Sequence, residues 1–234
     1  MNLSDFREDY QRGALGREGL NANPISQFES WFQAAAGERA QSRWRKIGIA
    51  LYKLWGAICN HRPPDSNAMT LATVDKNGAP SSRTVLLKSV DERGFIFFTN
   101  YESRKGRELA ENPQAALTFF WQELERQVCV AGMITKLPAA ESEQYFKTRP
   151  RGSQIGAWAS DQSEAVPDRA FLEAKWHELE KKFPHEVPLP PFWGGYILKP
   201  SRIEFWQGRS SRLHDRFCYT RQPDDSWKIE RLSP

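Results

Sequence analysis

Met69-Thr70-Leu71-Ala72-Thr73-Val74-Asp75-Lys76-Asn77-Gly78-Ala79-Pro80-Ser81-Ser82-Arg83-Thr84-Val85-Leu86-Leu87-Lys88-Ser89 decides how the chain is built. Met69 to Val74 reads as a strand. Asp75-Lys76-Asn77-Gly78 is a turn, with Asn-Gly supplying the positive φ angles of a hairpin. Ser82 to Ser89 reads as the return strand. Asp91-Glu92-Arg93-Gly94 turns the chain again, and Gly94 to Asn100 follows as a third strand. Outward from there, strands are expected at Ala115 to Trp121, Val128 to Lys136, Gly195 to Lys199 with Ile203 to Trp206, Arg216 to Thr220, and Lys228 to Leu232. Many short strands joined by tight turns argue for a mainly β fold, an antiparallel barrel that closes its own edges. Helices flank it at Ser103 to Glu111, Ala139 to Thr148 and Asp168 to Phe183. No P-loop and no Gly-x-Gly-x-x-Gly occurs, so a Rossmann reading has no support.

Residues 1–30 are polar, with Gly13, Gly16 and Gly19, and read as loop. Phe28, Trp31 and Phe32 suggest a short helix entered after Pro24 and Ser26. Between Arg39 and Pro64, apolar residues at 47, 51, 54 and 55, with Trp44 before them, make a helical stripe with basic flanks. Such a helix lies on a membrane surface, binds a partner, or packs on the protein's own surface. The organisation expected is an N-terminal helical and loop segment over 1–66 and one larger domain over 67–234. The 234 residues are 39% hydrophobic, enough for a sizeable core. Lys and Arg number 33 against 29 acidic residues, a mixed surface that suits small anionic ligands at least as well as nucleic acid. Cys59, Cys129 and Cys218 are scattered and form no Cys-x-x-Cys, and the four histidines are scattered too. That pattern speaks for reduced thiols in a cytoplasmic protein and against a metal cluster. The N-terminus is too acidic and polar for a signal peptide, and no run is long enough to span a bilayer.

Three stretches carry chemistry. Phe205 to Phe217 crowds Arg209, Arg212, Arg216, His214 and Asp215 into what reads as strand, Gly/Ser turn, strand. A turn that only reverses the chain needs Gly, Asn or Asp. On strand alternation Arg212, His214 and Arg216 share one face and Leu213 takes the other. In the second stretch, Ser103 is a good N-cap, yet Arg104, Lys105 and Arg107 follow in the first turn, against the helix dipole. An anion bound there reverses that conflict. In the third, Tyr145 and Arg149 stand at i and i+4 on a helix that Pro150 ends, with Ser153 beyond, a cation and two hydroxyls suited to a phosphate. Arg83 and Lys88 are five apart, so a flat strand sends them to opposite faces. Either a bulge re-aims one, or they serve different ligands.

Phe-Trp-Gln-Gly at 205–208, Arg-Leu-His-Asp-Arg at 212–216 and the end Trp227-Lys228-Ile229-Glu230-Arg231-Leu232-Ser233-Pro234 resemble the pyridoxamine 5'-phosphate oxidase family. The resemblance runs from about Phe6 to the last residue, interrupted at about 39–64, where the family has a shorter polar link. It implies an antiparallel FMN-binding split β-barrel and a cytoplasmic homodimer with FMN at the interface. It implies oxidation of pyridoxamine or pyridoxine 5'-phosphate at C4' by the flavin, with dioxygen as final acceptor and hydrogen peroxide as product. It assigns the run Arg83, Thr84, Val85, Leu86, Leu87 and Lys88 to FMN, together with Phe98, Thr99, Arg104, Lys105, Gln127, Gln162, Ser163, Trp206 and Arg216. Phe98 departs from the usual Tyr, and Gln162-Ser163 resemble residues that reach the neighbouring subunit's FMN. For the substrate it implies Lys88, Tyr145, Arg149 and Ser153 on the phosphate, and Arg212, Leu213 and His214 at the ring, with Arg212 and His214 closest to the chemistry. Arg7, Glu8, Asp9 and Tyr10 resemble a segment that closes over the substrate, a lid within 1–20.

Two other classes compete. One is a split-barrel flavin reductase acting on another substrate. The other is a non-catalytic protein that binds FMN or pyridoxal phosphate, or a basic nucleic-acid binder. The second phosphate set, Tyr145, Arg149 and Ser153, argues against the reductase. Basic residues at turns and helix ends, not in one stripe, argue against nucleic acid.

Overall fold

The hairpin at Asn77-Gly78 forms between β1 (Ala68–Val74) and β2 (Pro80–Leu86). Only Gly78 takes a positive φ, +86°, so the turn differs from a two-residue Asn-Gly reversal. Asp75 sets it instead: its carboxylate accepts the N–H groups of Asn77 and Ala79 at 2.8 and 2.9 Å, and its carbonyl accepts that of Gly78. The structure, a computed structural model, describes residues 9–40 and 65–234. Arg7, Glu8 and the basic helical stripe of 44–55 lie outside the described residues.

The remaining strands are β3 (Ser89–Asp91), β4 (Gly94–Asn100), β5 (Gln114–Trp121), β6 (Arg126–Lys136), β7 (Trp193–Gln207), β8 (Asp215–Arg221) and β9 (Trp227–Leu232). The helices are α1 (Pro24–Ala40), α2 (Arg104–Glu111), α3 (Ala139–Thr148), α4 (Arg151–Ala159) and α5 (Arg169–Lys182). The sheet order is β2-β1-β5-β6-β7-β4-β3, with β8 paired to β7 and β9 to β8. The pairs β3–β4, β4–β7, β7–β8 and β8–β9 are antiparallel. The chain forms two compact units: residues up to 70 with 117–130 and 201–234, and residues 71–116 with 131–200.

The first unit is built on α1. Pro24 suits a first helical position, and Asn23 Oδ1 accepts the N–H of Ile25 at 2.8 Å. Phe28, Trp31 and Ala35 follow at helical spacing and are buried. Phe28 packs against Phe119 and Trp121, and Trp31 stands edge-on to Phe205 at 5.2 Å. The expected short helix is thus a 17-residue one. Trp121 Nε1 donates to Ser66 O at 2.9 Å, tying the entry of β1 into this core.

In the second unit β4 is buried along most of its length, with Phe95 and Phe97 at its centre. Phe146, Ile155, Val187 and Trp193 make a second cluster where α3 and α4 meet β7. Three expectations are revised here. The strand read as Ser82 to Ser89 breaks after Leu86: Leu87 is buried, Lys88 N–H donates to Ile96 O at 2.9 Å, and β3 starts at Ser89. The break removes simple alternation between Arg83 and Lys88. The two segments around Pro200 are one 15-residue strand, because Gly132 lets the backbone approach closely. A Cβ there would lie 2.1 Å from Lys199 O and 2.9 Å from Pro200 Cα. Residues 151–159, unassigned from sequence, form α4.

Candidate functional site

In the second unit, Ser103 caps α2 as expected: its Oγ accepts the Gly106 N–H at 3.3 Å and donates to Asn100 O at 2.7 Å. The cap turns Lys105 inward, where it is only 7% exposed. Its Nζ donates to Gln162 Oε1 at 2.6 Å and to Thr99 Oγ1 and Ser103 Oγ at 3.2 Å each. Burial, with Arg83 nearby, pushes the Lys105 ammonium down to about 8, and Glu108 opposes the shift. Gln162 therefore sits on Thr99 and Lys105 of its own chain, and Ser163 beside it takes a φ of +80°.

The other two cations are organised by Glu108, which composition and spacing had not singled out. Its Oε2 accepts Thr73 Oγ1 at 2.5 Å, Ser81 Oγ at 2.6 Å and Arg83 Nη2 at 3.1 Å, and its Oε1 accepts Arg104 Nε at 2.8 Å. Burial favours protonation, but these hydrogen bonds from Ser81, Thr73, Arg104 and Arg83 hold the carboxyl at about 2. The Arg104 to Glu108 spacing of four was the available signal. Thr73 and Ser81 lie on other strands and gave none. Along β2, Arg83 and Val85 are half-buried, whereas Thr84 and Leu86 are exposed, and Lys88 is exposed past the break.

The second phosphate set is also in this unit. Arg149 is not within the helix: α3 ends at Thr148 and Arg149 is its extended C-cap, so the i, i+4 argument does not hold. Rings do the gathering. Phe98, Tyr145 and Trp193 are nearly parallel, with Phe98–Tyr145 centroids 3.9 Å apart and Phe98–Trp193 5.5 Å apart. The Arg149 guanidinium lies 4.7 Å over the Trp193 ring and 5.6 Å over Phe146. Its Nη1 is buried without a hydrogen-bond partner among the described residues, and burial pushes the group down from the usual arginine range. Ser153 is exposed in the first turn of α4.

The turn 207–217 belongs to the first unit. Strand alternation does not extend through it. Ser210–Arg212 is a 3-10 turn in which Ser211 and Arg212 take φ of 55° and 62°, and β8 begins only at Asp215. Arg212 is exposed and Leu213 is 70% exposed. His214 packs on Trp206 at 4.6 Å and on Tyr10 at 5.9 Å, and its Nδ1 accepts the Arg209 N–H at 3.1 Å. Asp9 Oδ1 accepts the Ser211 N–H at 3.3 Å, so these two residues of the expected lid rest on the turn. Gly208 admits Tyr10, since a Cβ there would lie 2.8 Å from the Tyr10 Cβ. Asp215 accepts the Leu15 N–H at 3.0 Å and Arg231 at 2.6 Å. These bonds outweigh burial and hold its carboxyl below the usual range. Arg216 faces Trp206 across the β7–β8 register and pairs with Glu204 at 2.8 Å. Gln127 is half-buried, with Nε2 3.4 Å from Cys129 Sγ.

Arg83 and Arg104 thus meet on Glu108, and Lys105 lies within electrostatic reach of Arg83 at the capped start of α2, a set of cations at a helix start that suits an anion.

A solved structure of PhzG from Burkholderia lata 383, in complex with tetrahydrophenazine-1-carboxylic acid, superimposes with a TM-score of 0.77 at 30% identity, over 94% of this chain and 98% of that one. A pyridoxamine 5'-phosphate oxidase-related, FMN binding protein from Nostoc punctiforme PCC 73102 shares the fold at 15% identity, with a TM-score of 0.65 over 92% and 100%. The fold is that of the split-barrel flavoproteins, as expected. Residues 59–183 match the family model described as pyridoxamine 5'-phosphate oxidase, and residues 193–234 match that of the pyridoxine 5'-phosphate oxidase C-terminal dimerisation region. A pyridoxine/pyridoxamine 5'-phosphate oxidase of Burkholderia mallei (strain SAVP1) is 52% identical over 99% of both chains, and that of Burkholderia thailandensis (strain E264) is 51% identical over the same span. The chain belongs to the pyridoxamine 5'-phosphate oxidase family. Among the described residues no helix is long and apolar enough to cross a membrane.

Proposed function

We propose that this protein is an FMN-dependent oxidase that converts pyridoxamine or pyridoxine 5'-phosphate to pyridoxal 5'-phosphate, using dioxygen, releasing hydrogen peroxide and acting as a homodimer. The observation that carries the reading is Arg149, whose Nη1 is buried beside Tyr145 with no hydrogen-bond partner among the described residues and so suits a second anion besides the cofactor's phosphate.

Arg83, Arg104 and Lys105 hold the FMN phosphate, with Thr84, Val85, Leu86 and Leu87 lining the way and Phe98, Thr99, Gln127, Gln162, Ser163, Trp206 and Arg216 as further flavin contacts. The Gln127 amide offers both a donor and an acceptor to a ring edge. Bound FMN supplies the redox chemistry, accepting a hydride equivalent from the substrate carbon and passing electrons to dioxygen. Lys88, Tyr145, Arg149 and Ser153 take the substrate phosphate and so position the reacting carbon. Arg212 and His214 orient the pyridine ring. Because Nδ1 of His214 accepts the Arg209 N–H, its neutral ring carries the proton on Nε2, a donor for the phenolic oxygen. Asp9 and Tyr10, which rest on the 207–217 turn, close over the bound ring.

The test is an absorbance spectrum of purified protein, then pyridoxamine 5'-phosphate with and without oxygen. Flavin bands, bleaching without oxygen and peroxide with oxygen are expected. A flavin that stays oxidised overturns the substrate and favours the reductase reading.

A further inference from the structure

Glu108 is the one acidic group in the basic cluster, and simple charge counting makes it an obstacle to an anion. The geometry points the other way. Its two oxygens are used on two separate arginines, Oε1 on Arg104 and Oε2 on Arg83, and Thr73 and Ser81 donate to Oε2 as well. The same two hydroxyls accept from Arg83, Thr73 from Nη1 and Ser81 from Nη2, at 2.5 Å each. Carboxylate, hydroxyls and guanidinium therefore close a ring of hydrogen bonds in which every group has both its place and its orientation set. Glu108 is 4% exposed, whereas the Arg104 side chain is 61% exposed and has no comparable anchor apart from this carboxylate.

We infer that Glu108 is a positioning residue for the flavin phosphate, holding Arg83 of β2 and Arg104 of α2 where both reach one anion. The inference rests on the flavin reading of the preceding section. Its charge suits the role. Three cations and one carboxylate leave a net of about +2, which matches a phosphate monoester of about −2 near neutral pH. Removing the carboxylate does not simply add one positive charge to the site. Lys105, buried against Arg83, Thr99, Ser103 and Gln162, sits near the edge of ionisation, and Glu108 is the group that favours its proton. Without Glu108 the amine gives that proton up more readily, so part of the charge gained is lost again near pH 8. What remains is the loss of order in Arg104 and of one of the Arg83 anchors, and this loss decides the sign.

The experiment measures FMN and riboflavin affinity of the apoprotein by flavin fluorescence quenching, for wild type and Glu108→Gln, from pH 6.5 to 9.5. Riboflavin lacks the phosphate. FMN is expected to bind E108Q roughly tenfold to hundredfold more weakly, taking the range known for carboxylates that orient metal-binding side chains as the scale for one that orients phosphate-binding arginines, with riboflavin unchanged. The pH at which FMN affinity begins to fall, near 8 in wild type, is expected to move down in E108Q. Ser81→Ala removes one donor to the carboxylate and leaves it in place, so a smaller loss of the same kind is expected even if E108Q does not fold. FMN bound as tightly as by wild type or more tightly overturns the inference, as does an equal loss for FMN and riboflavin in either variant. Wild-type protein that takes up no FMN overturns the flavin reading, and this inference with it.

Discussion

A buried ammonium is costly to fold around and useful to an anion, and Lys105 shows both sides. Its proton is released near pH 8 in the folded protein and near 10.5 in the unfolded chain. Between those values the unfolded chain binds the extra proton, so the stability of FMN-free protein is expected to rise with pH across that window. FMN affinity is expected to fall over the same window. Urea titrations and FMN binding at pH 7.5 and 9.5 check the two slopes together. Lys105→Met is expected to stabilise the FMN-free protein by about 1–3 kcal/mol while weakening FMN by roughly tenfold or more. Glu108 works at the other end of the scale. Its contribution to stability is expected to be complete above pH 4.5 and to be lost as pH falls toward 2, visible as an acid transition that E108Q lacks. Arg104 and Lys105 stood out in the sequence because cations follow a helix cap there, whereas Arg83 was singled out through the family resemblance. Glu108, Thr73 and Ser81 were not, since three separate elements bring them together and none looks unusual on its own.

The elements followed the sequence where local chemistry decided them. The Ser103 cap and the first strand formed near their expected bounds, and the chain reverses at 75–79 as expected, although Asp75 and not an Asn-Gly pair of positive φ sets that turn. Where backbone approach decided, the pattern misled. Pro200 reads as a strand end, but Gly132 clears room for β7 to run through it. Gly132→Val is expected to cost about 3 kcal/mol or more, because the added side chain meets backbone that cannot move aside. Chemical denaturation measures it, and a loss under 1 kcal/mol sinks the explanation. The helix α4 was missed because Gly152 and Gly156 dilute its helical signal and Pro150 just before it looks like a stop. The positive φ of Ser211 and Arg212 has no marker in sequence, since neither residue favours that region, and it is what defeats alternation at His214.

At the scale of the molecule, the split-barrel class was legible from the succession of short strands and from the family resemblance. The partition into compact units was not, because β5, β6 and β7 each contribute residues to both. Leu86, Phe120 and Met133 remain substantially exposed on strands of a single chain. We expect a homodimer in sedimentation at micromolar concentration, and Phe120→Glu is expected to shift it toward monomer and lower its flavin content. A wild-type monomer with full flavin content contradicts that expectation. Arg149 has a last consequence for anyone handling the protein. A cation kept on aromatic faces with an unanswered N–H makes the choice of buffer salt a thermodynamic variable. Inorganic phosphate bound there at ten times its dissociation constant is expected to add about 1.4 kcal/mol to stability, a rise in melting temperature of roughly 3 °C for a chain of this size, which thermal denaturation in phosphate and in Tris checks. Preparations stored in phosphate and in Tris are then expected to differ in stability, and comparisons of shelf life between them measure anion binding beside Trp193 as much as the fold.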